Sequence, residues 1–371
     1  MLYWLYMWMA AHHWVSGHGA FSLVIFRAAC AIMGSFLCVL LIGGRTIRWL
    51  IRQKVGDRPE FHNATLNELT KHKGNTPTMG GIIIVASIFI TTMLFARIDD
   101  FYVKMAMFCM IYLAGLGAID DWLKLTTGRR TPGSRDGLLA WEKLLFQIGL
   151  GVLLAIFVYN HGNYNQAHYL NWPFLPKDMV MLPAVFVVIT VIVITGTSNA
   201  VNLTDGMDGL AAGCMAIVSF AFLALAYVTG DLRWAAYLHF NHIEYSGELA
   251  VVCGAITGSC LGFLWFNCNP AQVFMGDTGS LALGGLIGYV AIVIRQEPIL
   301  LLVGGIFVIE ALSVLLQVGY FRMTGGKRIF LCSPIHHHFH LKGWSEQQVV
   351  VRFWLISALF AAFALATVKM R

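Results

Sequence analysis

Charged residues are scarce in this sequence of 371 residues, because Asp, Glu, Lys and Arg together make up only 12% of it. Soluble globular proteins carry roughly 25% charged residues, so this chain has too few of them to cover a water-exposed surface. Hydrophobic residues make up 58%. The high hydrophobic fraction and the low charge exclude an intrinsically disordered chain, because disorder needs low hydrophobicity and high charge. The composition therefore predicts a polytopic membrane protein.

Three other features are missing. The eight cysteines contain no C-x-x-C pair, so we expect neither a disulfide framework nor a zinc site. No Lys or Arg precedes Arg27, so the apolar start of the chain is not expected to be a signal peptide. The sequence shows no repeat of fixed period and no low-complexity linker, and a single transmembrane domain over residues 1–371 is the simplest interpretation. The net charge of +6 does not require nucleic acid, because basic residues of membrane proteins gather in cytoplasmic loops.

Long apolar runs fill most of the chain. A helix needs about 20 mainly apolar residues to cross a bilayer, and on this criterion the sequence predicts an all-α protein with ten transmembrane helices. Their expected ranges are 21–43, 80–96, 102–119, 139–159, 179–197, 209–229, 249–266, 278–294, 299–321 and 349–368. The fourth is the weakest, because Glu142 and Lys143 fall in its first turns.

The distribution of basic residues predicts the orientation. Fifteen Lys and Arg residues lie in the loops that follow odd-numbered spans, and six lie on the other side. Basic residues favour the cytoplasmic side. We therefore expect the odd-numbered loops to be cytoplasmic and both termini to be periplasmic.

Five polar clusters lie on the loops predicted to be cytoplasmic. They are residues 71–81, the pair Asp120-Asp121, residues 199–209, residues 267–277 and residues 334–338. Each has an ordinary structural explanation when taken alone. The aspartate pair could be a solvated helix end, and since neighbouring helix positions point about 100° apart, at most one of the two is expected to address a given ligand. The Asp-Gly steps at 205 and 208 could be turns or caps.

The combination points to chemistry on anions. Oxygen ligands favour Mg²⁺, which is often held by one or two carboxylates together with substrate phosphates. Nearby lysines and histidines suit an anionic substrate, as in phosphoryl transfer. Three consecutive histidine side chains diverge, so His336, His337 and His338 are not expected to form one metal site. Phe274 either stacks on a planar base or is an ordinary aromatic at the membrane interface.

These residues resemble a known family over most of the chain, from Phe21 to Arg371. The sequence is similar to the bacterial phospho-N-acetylmuramoyl-pentapeptide transferases, also called translocase I. They belong to the polyprenyl-phosphate N-acetylhexosamine-1-phosphate transferase superfamily. The resemblance rests on residues 76–81, Asp120-Asp121, residues 199–209, residues 263–267 and 270–277, and Pro334-Ile335-His336-His337-His338. The last of these motifs distinguishes the muramoyl-pentapeptide branch from its N-acetylglucosamine relatives.

The resemblance implies a reaction in the bacterial cytoplasmic (inner) membrane. Such enzymes transfer phospho-N-acetylmuramoyl-pentapeptide from UDP-N-acetylmuramoyl-pentapeptide to undecaprenyl phosphate. The products are UMP and lipid I, and the reaction is the first membrane step of peptidoglycan synthesis. It also implies ten helices in the lipid bilayer, a homodimer and a requirement for Mg²⁺.

The resemblance also implies roles for individual residues. Asp277 matches the Mg²⁺ ligand, and Asp120 and Asp121 match an acidic pair that acts on the lipid phosphate or supports the metal. His336 and His337 are counted with these three among the catalytic residues. The residues implied to bind substrate are Lys73, Lys124, Asn202, Asp205, Gly206, Asp208, Asn267, Phe274 and His338. Two departures from the family pattern are the order Gly74-Asn75 and His340 in place of a carboxylate.

Several alternatives stay open at this point. Direct attack of the lipid phosphate on the sugar-bearing phosphorus needs fewer steps than a route through a covalent aspartyl-phosphate. In direct attack, Asp120 would remove a residual proton or place the lipid phosphate. Glu310, midway along the ninth span, is a functional candidate by default, although a structural partnership with Gln317 is favoured. The rival functions are N-acetylglucosamine-1-phosphate transfer and, from another class, transport. A transporter places its ionisable groups near the bilayer midplane.

Overall fold

Helices form almost all of the described structure. The computed structural model describes residues 1–14, 19–53, 76–126, 137–161, 169–170, 172 and 179–368. Its helices are α1 (Leu2–Ala11), α2 (Val24–Arg52), α3 (Gly81–Phe95), α4 (Phe101–Thr126), α5 (Ala140–His161), α6 (Pro183–Thr204), α7 (Leu210–Gly230), α8 (Leu232–Tyr237), α9 (Leu249–Asn267), α10 (Gly276–Val293), α11 (Glu297–Val303), α12 (Gly305–Met323), α13 (Ile335–Leu341) and α14 (Glu346–Thr367). Two 3₁₀ turns, Ala20–Ser22 and Ser246–Glu248, precede α2 and α9.

The described residues contain one pair of strands, β1 (Tyr169–Leu170) and β2 (Met179–Val180). They are antiparallel, with Tyr169 opposite Val180 and Leu170 opposite Met179. The fifth span was expected to begin at residue 179, but that residue lies in β2 and α6 begins at Pro183. Proline suits the first turn of a helix, where its missing N–H costs no hydrogen bond.

Nine helices of the described residues are long and apolar enough to cross a membrane. They are α2, α4, α5, α6, α7, α9 with its preceding turn, α10, α12 and α14. The protein is therefore an all-α polytopic membrane protein, as predicted. The weakest predicted span is present as α5, with Lys143 in its first turn.

The predicted second span is shorter than the others. It is α3, with 15 residues, and at 1.5 Å per residue its length is about 22 Å. A bilayer hydrocarbon core is about 30 Å thick. The count of ten spanning helices thus stays a prediction.

The predicted ninth span is not one continuous helix. The structure has α11 and α12 in its place, separated at Gly304. Glycine has low helix propensity, and two glycines stand together here. The ring of Phe360 in α14 packs so closely on Gly305 that a Cβ there would lie 2.8 Å from it. The prediction of a single helix over 299–321 is therefore wrong.

Helix α10 lies at the centre of the fold, and all of its residues from Asp277 to Val293 are buried. Small residues let α4 and α6 approach it closely, as is usual where membrane helices pack. A Cβ on Gly117 of α4 would lie 2.2 Å from the carbonyl oxygen of Asp277, and one on Gly284 would lie 2.4 Å from that of Thr197. The amino end of α10 is therefore held against the carboxyl end of α4, where Asp120 and Asp121 lie.

A buried ion pair lies at the amino end of α9. Arg27 of α2 donates from its two terminal nitrogens to the two carboxylate oxygens of Glu248, at 2.7 and 2.5 Å. The side chains are only 2% and 8% exposed. A buried charge needs such a partner, so this pair fixes α2 to the turn that begins α9, at the opposite end of α9 from Asn267.

Candidate active site

Three carboxylates that are far apart in the sequence meet at the ends of two helices. Asp120 and Asp121 lie in the last turns of α4, and Asp277 lies in the first turn of α10. One oxygen atom from each lies within 4.8 Å of the others, and all three residues are buried. Three converging carboxylate oxygens are a donor set that suits a hard divalent cation such as Mg²⁺.

Asp121 fixes the amino end of α10. Its Oδ1 accepts a hydrogen bond from the backbone N–H of Asp277 at 3.1 Å. Its Oδ2 accepts from the backbone N–H and the hydroxyl of Thr278, at 3.0 and 2.7 Å. A carboxylate at a helix amino terminus satisfies unpaired N–H groups and complements the helix dipole. Asp121 therefore positions Asp277 as well as contributing an oxygen to the cluster.

Asp120 points to different partners from those of its neighbour. Its Oδ1 accepts from the backbone N–H of Leu138 at 2.7 Å. Its Oδ2 lies 2.6 Å from Nζ of Lys124 and 2.5 Å from Nζ of Lys143. The two adjacent aspartates thus do separate work, although one oxygen of each reaches the same cluster.

Two lysines neutralise the carboxylate cluster. Nζ of Lys124 lies 3.1 Å from Oδ1 of Asp277, and Nζ of Lys143 lies 2.7 Å from its Oδ2. Lys124 and Lys143 are 22% and 18% exposed, so both ammonium groups can meet a ligand at the surface of the site. Sequence reasoning missed Lys143. Its signal was available as a charge in the first turn of an otherwise apolar span.

The carboxyl end of α6 lies beside Asp277. Asn202 donates from Nδ2 to Oδ1 of Asp277 and to the hydroxyl of Ser280, both at 2.9 Å. Asp205 follows the end of α6. Burial raises the pKa of Asp205 well above its usual range and the charge of Asp277 adds to this rise, while a hydrogen bond from the backbone of Gly276 opposes it.

Residues of the next two loops hold each other in place. Asn267 accepts from the backbone N–H of Gly209 at 3.0 Å and donates to the carbonyl of Val273 at 2.8 Å. Oδ2 of Asp208 accepts from Nδ2 of Asn269 at 3.1 Å. Asn267 and Asp208, both predicted to bind substrate, thus have clear structural bonds here.

Phe274 lies between the loop before α3 and the start of α10. Its N–H donates to the carbonyl of Pro77, and its carbonyl accepts from the N–H of Gly80, both at 2.8 Å. Its side chain is partly exposed. The loop 76–81 therefore supports the segment that carries Phe274 and Asp277.

The histidine motif forms the short helix α13. His336 and His337 are buried, with ring centroids 4.2 Å apart. Nδ1 of His336 lies 3.0 Å from Oε2 of Glu310. His338 is partly exposed, and its Nδ1 accepts from the backbone N–H of Leu331 at 3.1 Å. Only Nε2 of His338 is then left for the ligand contact predicted from the sequence.

Comparison with known proteins identifies the family. The family described as glycosyl transferase family 4 matches residues 103–295. Three curated relatives, each named phospho-N-acetylmuramoyl-pentapeptide-transferase, match nearly the whole chain. The protein from Desulfotalea psychrophila is 47% identical over 97% of this chain and 98% of its own length. Those from Thermodesulfovibrio yellowstonii and Desulforapulum autotrophicum are each 42% identical, over 96% and 97% of this chain and 97% and 98% of their own lengths.

The chain belongs to the phospho-N-acetylmuramoyl-pentapeptide-transferase family.

Membership of the phospho-N-acetylmuramoyl-pentapeptide-transferase family confirms the resemblance seen in the motifs. It also confirms the predicted class of enzyme, a glycosyl-1-phosphate transferase of peptidoglycan synthesis. The match to family 4 ends at residue 295, before Glu310 and the histidine motif.

Two predictions within this transferase need comment. Lys73, predicted to bind substrate, lies outside the described residues. Glu310 was expected to have Gln317 as its partner, and this is wrong. Gln317 instead accepts from the backbone N–H groups of Ile329 and Phe330, at 3.1 and 2.9 Å. Glu310 contacts His336 because α13 packs beside α12, which helix periodicity alone cannot predict.

Proposed function

We propose that this protein catalyses the Mg²⁺-dependent transfer of phospho-N-acetylmuramoyl-pentapeptide from UDP-N-acetylmuramoyl-pentapeptide to undecaprenyl phosphate. The products are lipid I and UMP. The observation that carries the proposal is the cluster of Asp120, Asp121 and Asp277, whose oxygens lie within 4.8 Å, with Lys124 and Lys143 beside it. The full-length similarity to three proteins named for this activity supports it.

The metal assignment rests on the donor set. Asp277 presents one carboxylate oxygen to each of the two lysines, and it is the residue that the family pattern identifies as the metal ligand. Asp120 and Asp121 add hard oxygen donors next to it. When bound, Mg²⁺ would neutralise the negative charge of the diphosphate. We assign the metal to Asp277, with the two neighbouring aspartates completing or supporting the site.

The reaction brings two anions together, so charge neutralisation is its main requirement. An oxygen of the lipid phosphate forms a bond to the phosphorus that bears the sugar. The bond from that phosphorus to the bridging oxygen breaks, and UMP leaves with the electron pair. Lys124 and Lys143 are the cations of this chain that stabilise the phosphate oxygens during the step.

A general base has little to do in this reaction, because the second pKa of a phosphate monoester is about 6. Asp120 holds the ammonium groups of Lys124 and Lys143. We therefore assign Asp120 to placing these cations and the lipid phosphate. Direct attack is retained over a covalent aspartyl-phosphate because it needs fewer steps.

The lipid acceptor requires the site to lie at a membrane–water boundary. The cluster is built from the last turns of α4 and the first turns of α5 and α10, so it lies at helix ends. A transporter would place its ionisable groups nearer the midplane. The basic loops near this end favour the cytoplasmic side of the inner membrane. The proposal further includes periplasmic termini, ten spans, a single domain and a homodimer.

UMP release tests the proposal directly. The purified protein in detergent is given undecaprenyl phosphate and Mg²⁺ with either UDP-N-acetylmuramoyl-pentapeptide or UDP-N-acetylglucosamine. We expect release with the muramoyl donor alone, and its loss in Asp277→Asn and in a metal-free sample. Release with the smaller donor would assign the protein to N-acetylglucosamine-1-phosphate transfer. No release from a folded sample with either donor would refute both transferase assignments.

A further inference from the structure

Glu310 and His336 form a buried pair next to the candidate active site. Both side chains are 0% exposed, and Oε2 of Glu310 lies 3.0 Å from Nδ1 of His336. Their remaining polar atoms, Oε1 of Glu310 and Nε2 of His336, have no hydrogen-bond partner among the described residues. A buried polar group without a partner costs about 1–3 kcal/mol, so these two atoms need an explanation.

Charge balance limits the protonation states of this pair. A carboxylate beside a neutral imidazole would leave an uncompensated negative charge in a buried position, which is strongly unfavourable. Two neutral arrangements keep the observed bond and place the one unpaired donor of the pair on Nε2 of His336. One is a carboxylate with an imidazolium, and the other is a carboxylic acid that donates from Oε2 to Nδ1. In both arrangements Nε2 of His336 carries a hydrogen.

A third neutral arrangement is less favourable. It places the acid hydrogen on Oε1 of Glu310, and Nδ1 of His336 then donates to Oε2. All three arrangements leave one unpaired donor. In this one it is the O–H at Oε1, which has no partner among the described residues. In the other two it is the N–H at Nε2, which faces the exposed Gly206 and can be met there by a ligand. The contacts of Glu310 therefore determine that Nε2 of His336, on the far side of the ring, carries a hydrogen.

The free nitrogen of His336 faces the loop between α6 and α7. A Cβ built on Gly206 would lie 2.3 Å from Nε2, and Gly206 itself is exposed. The same loop carries Asp205. Gly206, the next residue, is one of those predicted to bind substrate. An N–H donor at this position is complementary to an acceptor oxygen, on a phosphate or on a uracil carbonyl.

We propose that Glu310 is a positioning residue, which fixes Nε2 of His336 as a hydrogen-bond donor to an acceptor oxygen of the bound uridine nucleotide. The proposal rests on the transferase function proposed above. Glu310 acts only through His336, and ligand binding supplies the acceptor that Nε2 lacks.

A double-mutant cycle tests whether Glu310 acts through His336. We expect Glu310→Leu to lower kcat/KM for the UDP-sugar by about 10- to 100-fold, the usual cost of removing a partner that orients a functional histidine. His336→Gln should lower it at least as much. The double variant should be no worse than His336→Gln alone, because a residue that acts through another adds nothing once the other is gone. Losses that multiply would overturn the proposal.

Two further variants keep this test clear. Glu310→Gln keeps the shape of Glu310 and replaces Glu310→Leu in the cycle if the leucine variant does not fold. Ser313→Ala is the matched control on α12, because Ser313 only donates to the backbone carbonyl of Glu310 at 2.7 Å. We expect Ser313→Ala to retain kcat/KM within about twofold. An equal loss in Ser313→Ala and Glu310→Gln would indicate a general disturbance of α12 and would refute the positioning role.

Nitrogen NMR of the protein labelled with ¹⁵N-histidine reads the tautomer without turnover. The signals of His336 are those that disappear in His336→Gln. We expect a protonated Nε2 in the wild type, a change in its signal on adding UMP, and a mixture of tautomers in Glu310→Leu. A bare Nε2 in the wild type would overturn the inference. If the wild type releases no UMP from either donor, the proposed function fails, and the protonation of Nε2 still decides the role of Glu310.

Discussion

Replacing Asp121 by Asn separates the two adjacent aspartates, whose roles the sequence does not distinguish. Asp121 accepts three hydrogen bonds from the start of α10, two at Oδ2 and one at Oδ1. An asparagine can accept at only one of these two positions. In its better orientation the amide oxygen faces Thr278, and the NH₂ group then opposes the N–H of Asp277.

The expected loss of stability follows from these contacts. At least one hydrogen bond to a charged group is lost, worth about 1.5–3 kcal/mol. Removing the negative charge from a helix amino terminus costs up to about 2 kcal/mol more in a partly buried site. We therefore expect Asp121→Asn to lower the free energy of unfolding by about 3 kcal/mol.

Asp120→Asn is the matched control, one residue away. Its amide oxygen can still accept from Leu138, and the ion pairs that it loses are to two lysines that are partly exposed. Such pairs are worth about 0–1 kcal/mol each, and the relief of repulsion within the carboxylate cluster is common to both variants. We expect Asp120→Asn to lower the free energy of unfolding by less than about 2 kcal/mol.

Unfolding in detergent, followed by the fluorescence of the 11 tryptophans, measures both variants in parallel. UMP release is measured on the same samples at a temperature where both are folded. Asp121→Asn should melt well below Asp120→Asn, and both should lose activity. If the two variants melt at the same temperature, Asp121 does not fix α10 and the argument from its three hydrogen bonds is wrong.

Three other predictions follow from single contacts. Lys143→Met removes an ammonium group from the carboxylate cluster. We expect UMP release to fall by about 10²–10³-fold, the usual loss for one electrostatic contact to a transition state. Leu145→Met is the control, and a loss below tenfold in Lys143→Met would show that Lys143 is not part of the site. Gly206→Ala places a Cβ 2.3 Å from Nε2 of His336, so KM for the UDP-sugar should rise at least tenfold with the melting temperature unchanged, and an unchanged KM would show that the ring moves away freely. Burial raises the pKa of Asp100 to about 6 in the folded protein. Between about pH 4 and 6 the folded state therefore binds more protons than the unfolded state. The free energy of unfolding should thus fall as the pH rises through this window. Asp100→Asn keeps an acceptor for the N–H groups of Tyr102 and Val103 and should abolish that slope in melting temperature, whereas a slope equal to the wild type would assign it to another group.

The membrane class, most of the spans and the candidate site could be predicted from the sequence, because apolar length and polar motifs are local signals. Asp120, Asp121 and Asp277 meet because α4 and α10 pack closely at Gly117. The motifs suggested this proximity but could not show which aspartate would bond to which group. Lys143 was discounted as a defect in a span, because a charge in a first turn does not reveal its partner.

The part beyond α10 was the least predictable. Apolar composition over residues 299–321 indicates one helix, whereas the structure has a break at Gly304, beside the contact of Phe360 with Gly305. The partner of Glu310 is His336 of α13, and not a residue of its own helix. A long-range contact of this kind depends on tertiary geometry, to which helix periodicity gives no access.

The short length of α3 has a consequence for the surrounding lipid. At about 22 Å, α3 is several ångströms shorter than the hydrocarbon core of a typical bilayer. Its amino end is fixed at the site by the hydrogen bonds of Gly80 and Gly81 to Phe274 and Met275. A membrane that adjusts to such a helix becomes thinner beside it, at a cost of fractions of a kcal/mol per ångström. The local dip would bring lipid phosphates toward the carboxylate cluster, so the acyl-chain length of the host membrane becomes a factor in how often an acceptor meets the enzyme.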